Sequence, residues 1–222
     1  MATETLDQPI VKKERSEGLL SKRRRKFVTD PLNDDNPITV QVLGICSALA
    51  ITLKMEPTLV MSIAVLFVIV FSNLIISIIR NLIPNRVRII VQLAIIATLV
   101  TLVNEVLKAY YYDMYKVLSV YVGLIITNCI IMGRLEAFAM GNKGWDSILD
   151  GIGSGFGYAW IILAVAFFRE LFGFGSLFGF QVFEAIGINF PNNGLMVTPI
   201  GAFMILGIII WIQRTKTGYV EH

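Results

Sequence analysis

The sequence predicts an all-α polytopic membrane protein: six transmembrane helices in two inverted three-helix repeats, with short or broken helices 1 and 4 carrying the cysteines. Three observations predict it. The chain is 55% hydrophobic with a mean hydropathy of +0.71, and its apolar runs between Ile38 and Ile212 approach the roughly 20 residues that a bilayer crossing takes. Charged residues make up 16% of the chain, against about 25% in soluble domains, and nearly half of them precede residue 38. The two cysteines, Cys46 and Cys129, fall in the first and the fourth apolar runs, the leading span of each half.

Residues 1–36 form a polar, charged tail, expected to be cytoplasmic and mobile. Its run Ser21-Lys22-Arg23-Arg24-Arg25-Lys26 reads as a juxtamembrane basic segment against anionic lipid rather than a nuclear signal. No secretory signal is expected, because the tail is polar throughout. The membrane domain covers residues 37–213. Its first span, Ile38 to Leu53, is short and is interrupted by Gln41, Gly44 and Thr52. The second is Thr58 to Ile79 and the third Ile89 to Leu107. The fourth starts near Val117 and runs through Cys129; the fifth is Ile152 to Phe168 and the sixth Val197 to Ile212. Tyr110, Tyr111, Tyr112 and Tyr115 cluster after span three and Trp211 closes span six, as interfacial aromatics do. Residues 214–222 are a short cytoplasmic end.

Basic residues set the orientation. With the amino terminus inside, the inner segments hold the cations of the tail, Arg80, Arg86, Arg88, Arg134, Lys143, Arg214 and Lys216. The outer segments hold Lys54, Lys108 and Lys116, with Arg169 at the outer end of span five. Both termini are therefore expected in the cytoplasm, and the segment from Leu171 to Met196, which has no Lys or Arg, is expected outside. Six spans divide into three and three, and an odd number per half turns the second half upside down. Short or Gly-interrupted spans at corresponding positions then point to a central site. Span count and cysteine placement carry this repeat; no residue-level identity between the halves supports it.

The cysteines have three readings. They are two small buried residues, a disulfide, or thiolate ligands of iron or zinc. Two thiolates cannot complete an iron–sulfur site, which takes about four ligands, and the one histidine is His222. A metal site would have to be shared with another chain. Asp150, just before the glycine run of span five, is either a helix-start acid facing the N-terminal dipole or a ligand that admits a cation. Glu105, beside Asn104, either pairs with Lys108 across one helical face or serves as an exit-side cation ligand. Arg134 and Glu136 read as structural contacts near the cysteine. Two apart on a continuous helix they face different sides, and an irregular backbone would relax that. Gly151-Ile152-Gly153-Ser154-Gly155-Phe156-Gly157 has the wrong spacing for a dinucleotide fingerprint and follows no strand; it reads as close helix packing.

Four strings carry a resemblance: Gly44-Ile45-Cys46-Ser47-Ala48-Leu49-Ala50, Pro84-Asn85-Arg86-Val87-Arg88-Ile89, Leu124 to Phe138, and Phe168-Arg169-Glu170-Leu171. Together they resemble the D-subunit family of the sodium-translocating NADH:quinone oxidoreductase, the Nqr complex, over roughly Asn36 to Ile212. The strings Thr127-Asn128-Cys129-Ile130 and Gly133-Arg134-Leu135-Glu136-Ala137-Phe138 are specific to this family and its Rnf-complex cousins, in which proline tends to replace Ser47. The resemblance implies a bacterial inner-membrane respiratory pump. In it, the six-helix D and E subunits are related in inverted orientation, and each supplies two cysteines to an iron or [2Fe–2S] centre at their interface. Cys46 and Cys129 match the pair from the D subunit, and Asn128 adjoins one of them.

In such a pump electrons from NADH pass through flavins and this iron to quinone, while sodium leaves the cytoplasm. The NADH, flavin and quinone sites lie mainly on other subunits, among A, B, C and F. No catalytic residue and no isolated activity are then expected of this chain. The resemblance also supports Asp150 as a residue that admits sodium. Two alternatives stay open: the corresponding subunit of an Rnf-type ferredoxin:NAD oxidoreductase, and a secondary transporter using the inverted repeat alone.

Overall fold

A computed structural model describes residues 36–84, 86–142, 144–177, 180–181 and 194–217. The basic run of the tail, most of the expected outer segment and His222 lie outside the described residues. The first expected span is not a continuous helix. Asn36 Oδ1 accepts from the N–H groups of Ile38 and Thr39, starting a turn in which Val40 N–H bonds back to the Asn36 carbonyl at 3.0 Å. The chain then passes through two left-handed residues, Val42 (φ 59°) and Gly44 (φ 83°). That conformation is costly for a β-branched residue and open to glycine. Only after Gly44 does helix α1 form, Ile45–Ile51, seven residues long. At 1.5 Å per residue this is about 10 Å, far short of a bilayer.

Helix α2, Met55–Ile79, and helix α3, Arg88–Tyr110, follow the expected second and third spans closely. The buried residues of α2 recur three and four apart, from Thr58, Met61 and Val65 to Ile69, Ser72 and Ile76, so one stripe faces the protein. Large apolar side chains such as Ile63 and Ile78 point outward, as they do where the solvent is lipid. Tyr111 alone separates α3 from helix α4, Tyr112–Ile126, and Tyr110, Tyr111 and Tyr112 are all exposed. The fourth expected span then breaks at Thr127–Asn128 and restarts as helix α5, Cys129–Arg134, which runs into a π-helical turn over Leu135–Ala139.

Helix α6, Gly144–Phe174, is 31 residues long and begins eight residues before the expected fifth span. The glycine run is therefore helix interior. Its glycines let α2 and α6 approach: a Cβ on Gly151 would sit 2.9 Å from Asn73 Nδ2 and 3.3 Å from Val70 Cα, so the close-packing reading of that run holds. Beyond α6, strands β1 (Ser176–Leu177) and β2 (Phe180–Gln181) form a minimal antiparallel ladder. Helices α7 (Gly194–Val197) and α8 (Pro199–Thr217) close the described chain.

Among the described residues, four stretches are long and apolar enough to cross a membrane by length and composition: Met55–Ile79, Arg88–Tyr110, Val120–Ala139 and Gly144–Phe174. Of the six expected spans, four therefore appear among the described residues as candidates of full length, the third of them interrupted at Asn128; α8 is a shorter apolar helix and α1 has seven residues. The core lies between α2 and α6, where Val65, Val68 and Ile69 meet Ile161, Ile162 and Val165. Ile125, Ile130 and Ile131, on either side of the break at Asn128, are fully buried in the same cluster.

Candidate functional site

The two short helices begin next to each other. Gly44 and Asn128 immediately precede α1 and α5, and a Cβ on Gly44 would lie 3.4 Å from Asn128 Oδ1. Asn128 caps α5, accepting at Oδ1 from Ile130 N–H at 3.3 Å, as an N-cap side chain does. Its Nδ2 donates to Ser47 Oγ at 3.3 Å. Ser47 Oγ is 2.8 Å from the Gly44 carbonyl, to which it donates, and 2.7 Å from the Tyr158 hydroxyl. Ser47, Asn128 and Tyr158 are all buried.

This arrangement presents Cys46 and Cys129 together. The Cys129 thiol interacts with the Cys46 thiol and with the Gly44 backbone. Both cysteines are free and exposed. The buried reading of the cysteines is thereby corrected: the helix breaks turn their side chains outward while Ser47 and Asn128, their chain neighbours, face in. Among the described residues no group of three or more His, Cys, Asp or Glu side chains could hold a metal by itself. The donor set is two soft sulfur ligands with accessible space beside them, which suits thiolate-binding metals such as iron.

A second polar cluster adjoins the first. Arg134, at the end of α5, is buried; its Nε donates to Ser154 Oγ at 2.7 Å, and its guanidinium lies 3.5 Å from the Asp150 carboxylate. Asp150 is 3% exposed and sits six residues inside α6, so it is not the helix-start acid the glycine run suggested. Glu136 points elsewhere: it pairs with Arg88 and accepts from Gln92 at 3.1 Å, both on α3. Arg134 and Glu136 thus contact different helices, α6 and α3, with a π-helical turn beginning between them. Glu105 is exposed on α3, and no ion pair to Lys108 appears among the described residues.

Tyr158 and Arg169 escape sequence reasoning as site residues. A signal for Tyr158 is present: Asp150, Ser154 and Tyr158 are four apart, one face of α6, and all three are buried. Arg169 counts as an outer-end cation in the sequence, yet it is 2% exposed. Its guanidinium reaches the carbonyls of Leu49, Met196, Val197 and Thr198 and the Thr52 hydroxyl.

A bundle of apolar helices with two interrupted segments and a pair of facing, accessible thiols defines a polytopic membrane protein with a dithiol site. Residues 25–210 match the family described as Rnf-Nqr subunit, membrane protein. The chain is 56% identical over 204 residues to the D subunit of the Na(+)-translocating NADH-quinone reductase of Pasteurella multocida, covering 90% of this chain and 98% of that one. The D subunits of the same name from Photobacterium profundum and Shewanella halifaxensis are 54% and 55% identical, over 87% and 88% of this chain and 93% and 94% of theirs. The chain belongs to the Rnf-Nqr family of membrane subunits, as its motifs suggested.

Proposed function

We propose that this chain is the D subunit of a sodium-pumping NADH:quinone reductase of the bacterial inner membrane, with both termini cytoplasmic. In this reading Cys46 and Cys129 are two thiolate ligands of an iron or [2Fe–2S] centre. Its inverted homologue, the E subunit, supplies the rest, and α1 with the α4–α5 pair takes the place of the broken first and fourth helices of an inverted repeat of six spans. NADH, flavins and quinone are bound by other subunits, among A, B, C and F. The extent of identity to D-subunit relatives, together with Ser47 after the first cysteine, favours this over the Rnf-type ferredoxin:NAD oxidoreductase.

The observation that carries the proposal is the meeting of the two free thiols at the starts of two interrupted helices. Two ligands leave about half of a four-thiolate set open, and their exposure leaves that side to another chain. When bound, iron would supply one-electron transfer within the membrane. The chain's own residues hold the ligands in place: Asn128 caps the helix that starts at Cys129, and Gly44 gives the turn that precedes Cys46. For sodium, Asp150 is the candidate on the cytoplasmic side, where a cation would compete with the Arg134 guanidinium, and Glu105 is the exit-side candidate.

The test is iron content of the purified complex carrying Cys46→Ser or Cys129→Ser. Each is expected to lose the iron signal and quinone reduction while flavin reduction by NADH survives. Full iron and electron flow to quinone in either variant would reject the shared centre.

A further inference from the structure

We propose that Tyr158, acting through Ser47 and Asn128, is a positioning residue that fixes the separation of the Cys46 and Cys129 thiols. The inference rests on the reading of those cysteines as ligands and adds a residue to it. Ser47 follows Cys46 and Asn128 precedes Cys129, so a bond between their side chains ties the two ligand-bearing helix starts together one residue from each sulfur. That bond is Asn128 Nδ2 to Ser47 Oγ, 3.3 Å.

Proton bookkeeping makes Tyr158 the remaining partner. Ser47 has one hydroxyl hydrogen and two lone pairs. The hydrogen goes to the Gly44 carbonyl at 2.8 Å, one lone pair accepts from Asn128, and the other accepts from the Tyr158 hydroxyl at 2.7 Å. The Ser47 oxygen is then fully used, and its place is set from three segments: the turn before α1, the break before α5, and the middle of α6. Tyr158 is fully buried. Its ring also backs the left-handed turn, since a Cβ on Gly44 would come within 3.1 Å of Cε2. A buried phenol among apolar helices needs a partner for its hydroxyl; here that partner is the serine next to a ligand. Outer partners of this kind orient ligands and tune the centre they hold.

Tyr158→Phe removes only the hydroxyl and keeps the ring against Gly44, and Ser47→Ala removes the hub; Ser47→Thr, which retains the hydroxyl, is the rescue. In the intact complex, Tyr158→Phe and Ser47→Ala are expected to assemble with iron but to lose it to a competing chelator about tenfold more readily, the scale typical of such outer partners. Their iron spectrum is expected to shift, and after iron removal diamide is expected to oxidise the Cys46–Cys129 pair more slowly. Ser47→Thr should restore the parent values more closely than Ser47→Ala. If both variants match the parent in chelator resistance, spectrum and thiol oxidation, Tyr158 is only a core residue and the inference is overturned. Iron retained by Cys46→Ser would instead refute the ligand reading, so the two failures are distinct.

Discussion

Asp150→Ala should destabilise this chain by about 3 kcal/mol, because it strands a buried guanidinium. The magnitude follows from the geometry of the pair. The side chains are 10% and 4% exposed, and Nη2 of Arg134 lies 3.5 Å from Oδ1 of Asp150. Breaking a buried ion pair by removing one partner costs roughly 3–5 kcal/mol, since the other charge stays buried without compensation. The separation is long for a charge-assisted hydrogen bond, and Arg134 keeps its bond to Ser154 Oγ at 2.7 Å, so the low end of that range applies. A helix-start acid facing only the dipole would contribute roughly 0.3–1 kcal/mol, and the difference separates the two environments. For a chain of this size the larger loss corresponds to a fall in melting midpoint on the order of 6–12 °C.

Thermal unfolding of the purified complex measures it. The double variant Arg134→Met with Asp150→Leu should recover most of the loss, because exchanging a buried pair for apolar side chains is often neutral. A midpoint for Asp150→Ala within about 1 °C of the parent would refute the reasoning. The same variant tests the sodium role. If Asp150 helps to admit the ion, half-maximal turnover needs more sodium while iron stays bound; an unchanged sodium dependence rejects that role and leaves the ion pair standing.

Gly151→Ala should cost roughly 1–3 kcal/mol by overpacking, because the added carbon meets the Val70 backbone and an Asn73 amide already held by the Ser147 carbonyl at 3.0 Å. Gly155→Ala, which meets the flexible end of Leu66 at 3.2 Å, should be milder, and equal melting midpoints for the two would remove the argument. For topology, a cysteine probe at residue 193, with both native cysteines replaced, should label only from the periplasmic side; labelling confined to the cytoplasmic side would invert the orientation drawn from the basic residues.

Much of the architecture is legible in the sequence because it is local. Runs of branched apolar residues from Thr58 to Ile79 and from Ile89 to Leu107 cannot be loops, and the helices there end within a few residues of those bounds. The fourth span reads as running through Cys129, and the restart there shows only in the structure, although Asn is a strong N-cap. What the sequence hides is the meaning of glycine. Gly44 reads as an interruption of a span; with Val42 it instead keeps the chain from helix until Ile45. The run from Gly151 to Gly157 reads as the start of a helix, which puts Asp150 at its mouth. In a bundle, close packing against α2 outweighs the poor helix propensity of glycine, and α6 runs straight through from Gly144. Tyr158 meets Ser47, and Arg169 meets Leu49 and Thr52, each more than a hundred residues away in sequence. No window of sequence contains both sides of those contacts.

Three of the four strings that carry the family resemblance, those around Cys46, Cys129 and Arg169, share one physical task. Every interrupted helix leaves unpaired backbone groups, and in a bilayer each costs several kcal/mol unless the protein satisfies it. At α5 the answer lies beside the break, in the Asn128 cap. At α1 and α2 it comes from α6. Glu170 Oε2 accepts from Met55 N–H at 2.6 Å, the first N–H of α2. Its neighbour Arg169 spends its guanidinium donors on the carbonyls of Leu49, Met196, Val197 and Thr198 and on the Thr52 hydroxyl. Two of those groups lie at the end of α1 and the rest around the end of α7. Five N–H groups meet five acceptors, so the arginine is satisfied by hydrogen bonds and the helix ends are satisfied by it. Arg169 and Glu170 therefore do for the junction between α1 and α2 what Asn128 does for the break before α5. A chain that interrupts its apolar helices must carry polar or charged side chains where those helices stop, and Arg169 and Glu170 are ionisable groups that do this inside sequence that is otherwise apolar.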